Sequence, residues 1–304
     1  MSMLIETAVE LGLITSLTVL ALFLSYSMLN VCDLSTDGCF TLGACTGAVV
    51  AIAGHPFLSL PAAILAGMLS GCITATLQTK MGIDSLLSGI IVNTALFSIN
   101  IAIMGNSSLL NMNKTETVFT VLKKILEGTV LEGKQVLICA LIAVIIVLIF
   151  LNMFLKTRLG TAIRATGNNP AMVKSSSINP HVMTMIGLCL SSGMTALSGC
   201  LLSQSQKSVN IDIGSGMLTI SLASLLIGKI LAGSSSSLEI RSICAVFGTI
   251  IFRLVYTFAL RLNMPAYMLK LVSSVIVIMA IAVPYLKQRY PLLKRRQEAR
   301  REQC

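Results

Sequence analysis

Long uncharged apolar stretches recur through this chain. They are broken near its middle by one polar, basic, Gly- and Pro-containing segment, 156–180, KTRLGTAIRATGNNPAMVKSSSINP. A helix needs about 20 apolar residues to cross the hydrocarbon layer of a membrane. The spacing predicts spans at 8–29, 39–55, 59–78, 85–104, 135–155, 182–203, 216–233, 242–260 and 265–286. The second and seventh are short and rich in Gly, Ser and Thr, a composition that belongs inside a bundle where irregular backbone can be satisfied. The expected fold is an all-α polytopic membrane helix bundle with about 8–9 transmembrane helices.

Charge sets the expected orientation. The 156–181 loop carries Lys156, Arg158, Arg164 and Lys174 and no acid. Residues 287–304 carry seven basic side chains against Glu298 and Glu302. Lys and Arg resist translocation, so both belong in the cytoplasm. Four spans separate them, which is compatible with a shared side. Counting back places Lys80 inside, the nearly charge-balanced 105–134 loop outside, and the N-terminus outside. The second span is the weak point, because it could be re-entrant. Within the outer loop, Val118, Val121, Leu122 and Ile125 fall at helical spacing and predict a short surface or docking helix over 116–127. The domain division is a permease domain, 1–286, followed by a basic cytoplasmic tail, 287–304.

Only 11% of residues are charged and 55% are hydrophobic, with mean hydropathy +0.88. Soluble domains carry about 25% charge, so a soluble enzyme is excluded. Half of the net charge of +10 sits in the tail, where it anchors topology and meets anionic membrane lipid rather than nucleic acid. The nine cysteines contain no CxxC pair, so neither a zinc site nor a disulfide framework is indicated. His55 and His181 are isolated, and no metal site or Ser/His/Asp triad can be assembled from them. The N-terminus carries Glu6 and Glu10 but no basic residue before its apolar run, unlike a cleavable signal peptide. Two sequons, at Asn106 and Asn113, matter only in a eukaryotic secretory route.

Several residues are candidates for chemistry, each with a plainer alternative. In the middle segment, Asn168 or Asn169 can cap a helix starting at Pro170, a residue suited to the first helical position. That helix would carry Met172 and Val173, flanked by cations and ended by Ser177–Pro180. It is a knob for a groove in a soluble partner, or a solvated connector. Asn93 and Asn100 are two turns apart and share a helix face. They line a pathway or bond neighbouring helices. Arg253 is central in its span, where a cation costs about 2.5–3.5 kcal/mol on insertion scales. It meets a substrate anion or a gating acid, or pairs structurally. Lys270 is nearer a span end and snorkels. Asp33 and Asp37 form a cation or gating pair, or cap a helix, which their Ser-Thr-Gly surroundings favour. Gly43 with Gly47, and Gly67 with Gly71, let backbones approach closely.

The segment Arg158-Leu-Gly160-Thr-Ala-Ile-Arg164-Ala-Thr-Gly167-Asn-Asn-Pro170-Ala-Met172-Val-Lys174 resembles the coupling-helix region of ABC importer permeases of the branched-chain amino acid permease family. Matching stretches are Asp33–Gly38 with Leu42–Ala44, Ser88–Asn100, Ala196–Gly199 with Gln204, Gly214–Met217, and Leu222–Ser224 with Gly228. The chain is most similar to the permeases that accompany tryptophan/tyrosine-type binding proteins. The likeness covers residues 8–286. It implies a type II-like permease in the plasma (inner) membrane of a bacterium. It also implies a second permease copy, two ATP-binding subunits and an extracytoplasmic substrate-binding protein. The coupling contacts would come from Arg164, Gly167, Asn168, Asn169, Pro170, Met172 and Val173. The chain would bind no cofactor itself, ATP being used by the partner subunit, and no GxxxxGK[ST] phosphate loop is present. Four positions depart from the family pattern: Ser177 replaces a Gly, Ser192 an Asn, 205–210 a Gly- and Asp-containing loop, and Lys229 an acid. An amino acid or related small polar solute is the first expectation. The rival reading is an ion-coupled secondary transporter using Arg253 with Asp33 and Asp37. An intramembrane enzyme would need paired catalytic residues that no span supplies.

Overall fold

The computed structural model describes residues 2–126, 134–233, 237–261, 271, 274–275, 277–279 and 282. The expected span 265–286 lies largely outside these residues, as do Lys270 and the tail 287–304.

Helix α1 (Ser2–Leu22) runs into a π-helical turn, Phe23–Met28. Its residues from Leu13 to Leu24 are almost all buried. A helix apolar on every side belongs at the centre of a bundle. Its buried hydroxyls are partly satisfied at home, Thr15 donating to the Leu11 carbonyl at 2.7 Å and Ser16 to the Leu13 carbonyl at 2.6 Å. Residues 29–35 then turn inside the protein before α2 (Thr36–Ile52) begins. Asp33 organises that turn, accepting from Ser35 N at 2.8 Å and Ser35 Oγ at 2.6 Å. The short second span is therefore a complete helix that starts part-way along the bundle.

Four further helices follow: α3 (Ser59–Thr79), α4 (Ser85–Ile103), α5 (Val118–Leu126) and α6 (Gln135–Lys156). Then come α7 (Arg158–Asn168), α8 (Pro170–Ser175), α9 (Pro180–Gln206), α10 (Met217–Ala232) and α11 (Leu238–Arg261). Among the described residues six helices are long and apolar enough to cross a membrane: α1 with its π turn, α3, α4, α6, α9 and α11. Helices α2 and α10 are apolar but shorter. Helices α4 and α6 expose broad bands of Leu, Ile and Phe, among them Ile90, Ile91, Phe97, Ile146, Ile149 and Phe150. Bands of that size are unstable in water and suit a lipid surround.

The interior is built on close backbone approach. A Cβ on Gly43 would collide with the Ala196 carbonyl of α9, and one on Gly47 with Cys200 Sγ. On α3, a Cβ at Gly67 or Gly71 would strike α9 at Ser192, Ala196 or Leu188. Both Gly pairs thus serve packing inside one chain, and they seat α9 between α2 and α3.

Cross-helix contacts fix the chain's course. Ser59 meets Gln204 at one end of α3 and α9. Ala21 and Ile14 carbonyls accept from Ser191 and Ser198, so α1 and α9 run antiparallel. Arg241 reaches Ser27 while Arg253 reaches Thr15, so α11 also opposes α1. One end of the bundle holds the start of α1 beside that of α6, joined by Glu6 and Lys134 at 3.9 Å. The other holds α7, α8 and the Lys156–Glu239 ion pair. This alternation agrees with the relative sides read from the basic residues.

Three features differ from the sequence reading or go beyond it. Residues 158–168 form a helix, whereas only the helix after Pro170 was expected in this segment. Thr157 caps it by accepting from Gly160 N at 3.2 Å. Strands β1 (Leu109–Asn111) and β2 (Ser208–Asn210) form an antiparallel ribbon with Leu110 opposite Val209. The helix expected over 116–127 is present as α5. It docks on the chain itself: Val118 and Phe119 are buried, and Val118 N donates to Gln204 Oε1 at 3.0 Å.

Candidate functional site

Two places gather the candidate residues. The first is the turn between α6 and α9. Asn169 leaves helical geometry (φ −155°, ψ 96°), and its Oδ1 accepts from Ala171 N at 3.1 Å and Met172 N at 3.2 Å. Pro170 occupies the next position, where its missing N–H costs nothing. Ten residues on, Asn179 and Pro180 repeat the device, with Asn179 Oδ1 accepting from His181 N at 3.0 Å. Two Asn-Pro corners therefore bracket α8. The cap is Asn169; Asn168 is the last residue of α7 and is exposed.

The two apolar residues of α8 part company. Met172 is 64% exposed, whereas Val173 is 3% exposed. Val173 is an anchor to the body, which corrects its expected place on a presented knob. Arg164 is half-buried on α7. Gly167 lies against the end of α1, where a Cβ would collide with the Met28 carbonyl and Leu29. Its role is seating α7, since no side chain could fit there. Ser177 adopts φ 60°, a left-handed backbone that favours glycine.

The second place is a cavity of about 190 Å³ lined by Asp37, Gly38, Thr41, Asn93, Phe97 and Asn100, with Ile211, Asp212 and Ser215. Asn93 and Asn100 do share this face of α4. Asn100 is 1% exposed; its Nδ2 donates to the Gly38 carbonyl at 3.2 Å, and its Oδ1 has no partner in the structure. Asp37 caps a helix, but not its own: Oδ2 accepts from Gly216 N at 3.0 Å and Oδ1 from Leu218 N at 2.7 Å, at the start of α10. A carboxylate there satisfies orphan N–H groups and faces the positive end of the dipole. The sequence signal for this was the Gly214-Ser-Gly216 run, which frees the α10 start to approach Asp37; Gly216 has φ 85°.

Arg253 stands apart from the cavity. It is 9% exposed between α1 and α11, where Nε donates to Thr15 Oγ1 at 3.4 Å and the guanidinium lies 5.9 Å from the Tyr256 ring centroid. Asp33 serves its own turn and Asp37 serves the start of α10. The residues that an ion-coupled carrier would have used are thus dispersed. Among the described residues no group of three or more His, Cys, Asp or Glu could hold a metal ion.

Comparison with known proteins gives a consistent result. A tyrosine transport system permease protein of Clostridioides difficile (strain R20291) is 33% identical over 272 residues, covering 89% of this chain and 88% of that one. A probable branched-chain amino acid transport permease protein, LivH, of Methanocaldococcus jannaschii is 26% identical and covers 81% of this chain and 84% of its own. The solved structure described as PsaBC from Streptococcus pneumoniae in complex with Fab superposes with a TM-score of 0.55 at 17% identity. It covers 94% of each chain and shares the fold. The family model described as branched-chain amino acid transport system / permease component matches residues 4–281. With its apolar helices and these relatives, the chain belongs to that family, as a multi-pass membrane permease component of an ABC-type transport system.

Proposed function

We propose that this chain is the transmembrane subunit of an ATP-driven importer for an amino acid or a related small polar solute. The observation that carries the reading is α8: a short helix held out by two Asn-Pro corners, exposing Met172 and rooted by Val173. ATP-binding subunits grip α8 on the cytoplasmic side. Their closure moves α8, and α7 passes the movement to α1 through the Gly167 contact. The remaining parts of the proposed assembly are a second copy of the permease, an extracytoplasmic binding protein, and the plasma (inner) membrane of a bacterium; family membership supports the binding protein. In this arrangement α2 and α10 add to the crossings, and ATP is hydrolysed in the partner subunit.

The polar cavity supports the substrate class. Carboxamides at Asn93 and Asn100 beside the Asp37 carboxylate are suited to an ammonium–carboxylate solute, and the tyrosine permease relative favours an amino acid.

Met172→Glu in the complete transporter, reconstituted with its ATPase, tests the coupling. Replacing an exposed apolar contact by a charge should lower solute uptake per ATP hydrolysed by roughly tenfold, the effect of burying an unpaired charge at an interface. Membrane levels should stay normal. Unaltered coupling in a well-inserted variant would remove α8 from the ATPase contact.

A further inference from the structure

A second cavity, of about 220 Å³, opens near the α7–α8 end of the bundle, between the π-helical turn, α10 and α11. Its polar lining is Tyr26, Ser27, Asn30, Lys229 and Arg241, and its apolar walls are Phe23, Leu225 and Leu226. We propose that this cavity binds a phosphate-bearing anion between Lys229 and Arg241.

Charge and placement carry the argument. Two cations from different helices converge on one concave space, and among the described residues its lining contains no carboxylate. The acid nearest in sequence, Glu239, is engaged by Lys156. Lys229 sits in the last turn of α10, where a cation suits the helix dipole. Arg241 is the opposite case: it lies in the first turn of α11, at the dipole's positive end. A cation in that position adds to a local excess of positive potential, which an anion relieves.

Arg241 is also pre-positioned. Ser27 Oγ accepts from its Nη2 at 3.0 Å, and its guanidinium carbon lies 5.8 Å from the Phe23 ring centroid. That fixes a planar fork whose geometry matches phosphate oxygens. Tyr26, Ser27 and Asn30 bring neutral hydrogen-bonding groups to the same space. Asn30 does so from a left-handed backbone (φ 57°), at the foot of a π-helical turn. Both irregularities are features that cluster at ligand sites.

The phosphate has two possible sources, a lipid headgroup from the adjacent leaflet or free phosphate in solution. The apolar walls accommodate the glycerol end of a lipid. The purified full-length chain, stripped of lipid in neutral detergent, would be titrated with phosphatidylglycerol, with phosphatidylcholine and with inorganic phosphate. Native mass spectrometry would count bound phosphatidylglycerol, and thermal unfolding would read each ligand's stabilisation. The proposal expects one tightly held anion. Lys229→Gln, a change at an exposed side chain, should weaken it by roughly tenfold, the cost of one charge-assisted hydrogen bond. Lys80→Gln, another exposed cation at the same end, should leave binding unchanged. Arg241→Gln should also weaken binding, and Arg241→Lys should partly restore it. Competition by inorganic phosphate would assign the site to a free anion; stabilisation by phosphatidylglycerol alone would assign it to the headgroup. The proposal is overturned if Lys80→Gln and Lys229→Gln weaken binding equally, which would mean diffuse surface attraction. It is equally overturned if no variant changes binding, or if phosphatidylcholine binds as well as phosphatidylglycerol and inorganic phosphate does not bind.

Discussion

Ser177 holds a backbone conformation that costs an L-residue about 1–2 kcal/mol and costs glycine almost nothing. Ser177→Gly should therefore raise the unfolding free energy by about 1 kcal/mol, less the extra chain entropy glycine brings. A thermal melt of the detergent-solubilised chain would read it, and a fall in stability would refute the strain argument. Asp37 makes the converse case. Asp37→Ala removes the acceptor for two N–H groups at the start of α10 and should cost about 1–2 kcal/mol. Asp37→Asn, which keeps one acceptor, should cost less. Equal stability of all three forms in the same melt would show the cap to be idle. At this scale the sequence was readable where partners are close along the chain. Asn169 before Pro170 announces its own cap, and the two-turn spacing of Asn93 and Asn100 announces a shared face. Arg253 was not readable, because its neighbour Thr15 lies on the first helix and nothing local distinguishes a partnered arginine from a pathway one. Asp37 was half readable: its chemistry is that of a cap, but the helix it caps begins far down the chain.

Helices α2, α3 and α9 form a unit held at backbone distance. Gly71→Val places a branched side chain where Ser192 and the Leu188 carbonyl already stand. Overpacking of this kind costs about 1–3 kcal/mol. The variant should be found at reduced level in membranes and should elute broadly in size-exclusion chromatography, whereas Gly82→Val, in open space but with φ 66°, should disturb only its turn. A sharp, abundant Gly71→Val peak would contradict the close approach. Apolar run length located the six long apolar helices among the described residues, since desolvation of the backbone leaves the chain little choice. Helix α7 escaped that logic. Its glycines look like turn residues, yet Gly160 and Gly167 are there because Leu155 and Met28 leave no room for a side chain. The β-ribbon also escaped, because three-residue strands from distant loops leave no period to detect.

For the molecule as a whole, alternation of basic and neutral connections gave the relative sides of each loop, and the Glu6–Lys134 and Lys156–Glu239 pairs sit at opposite ends as that alternation requires. Absolute sidedness is open to direct measurement. A cysteine introduced by Ser175→Cys, at an exposed position on α8, should resist a membrane-impermeant maleimide in intact cells and react in inverted vesicles. Labelling from outside intact cells would turn the whole bundle over. The seating of Gly167 against the Met28 carbonyl has one more implication. Through α7, α8 is seated against the end of the first helix as well as against α6 and α9, its neighbours in the chain. On the proposed ATPase contact, a stroke applied at α8 would reach the buried first helix, and a fluorophore near Glu6, at the opposite end of the bundle, would report it.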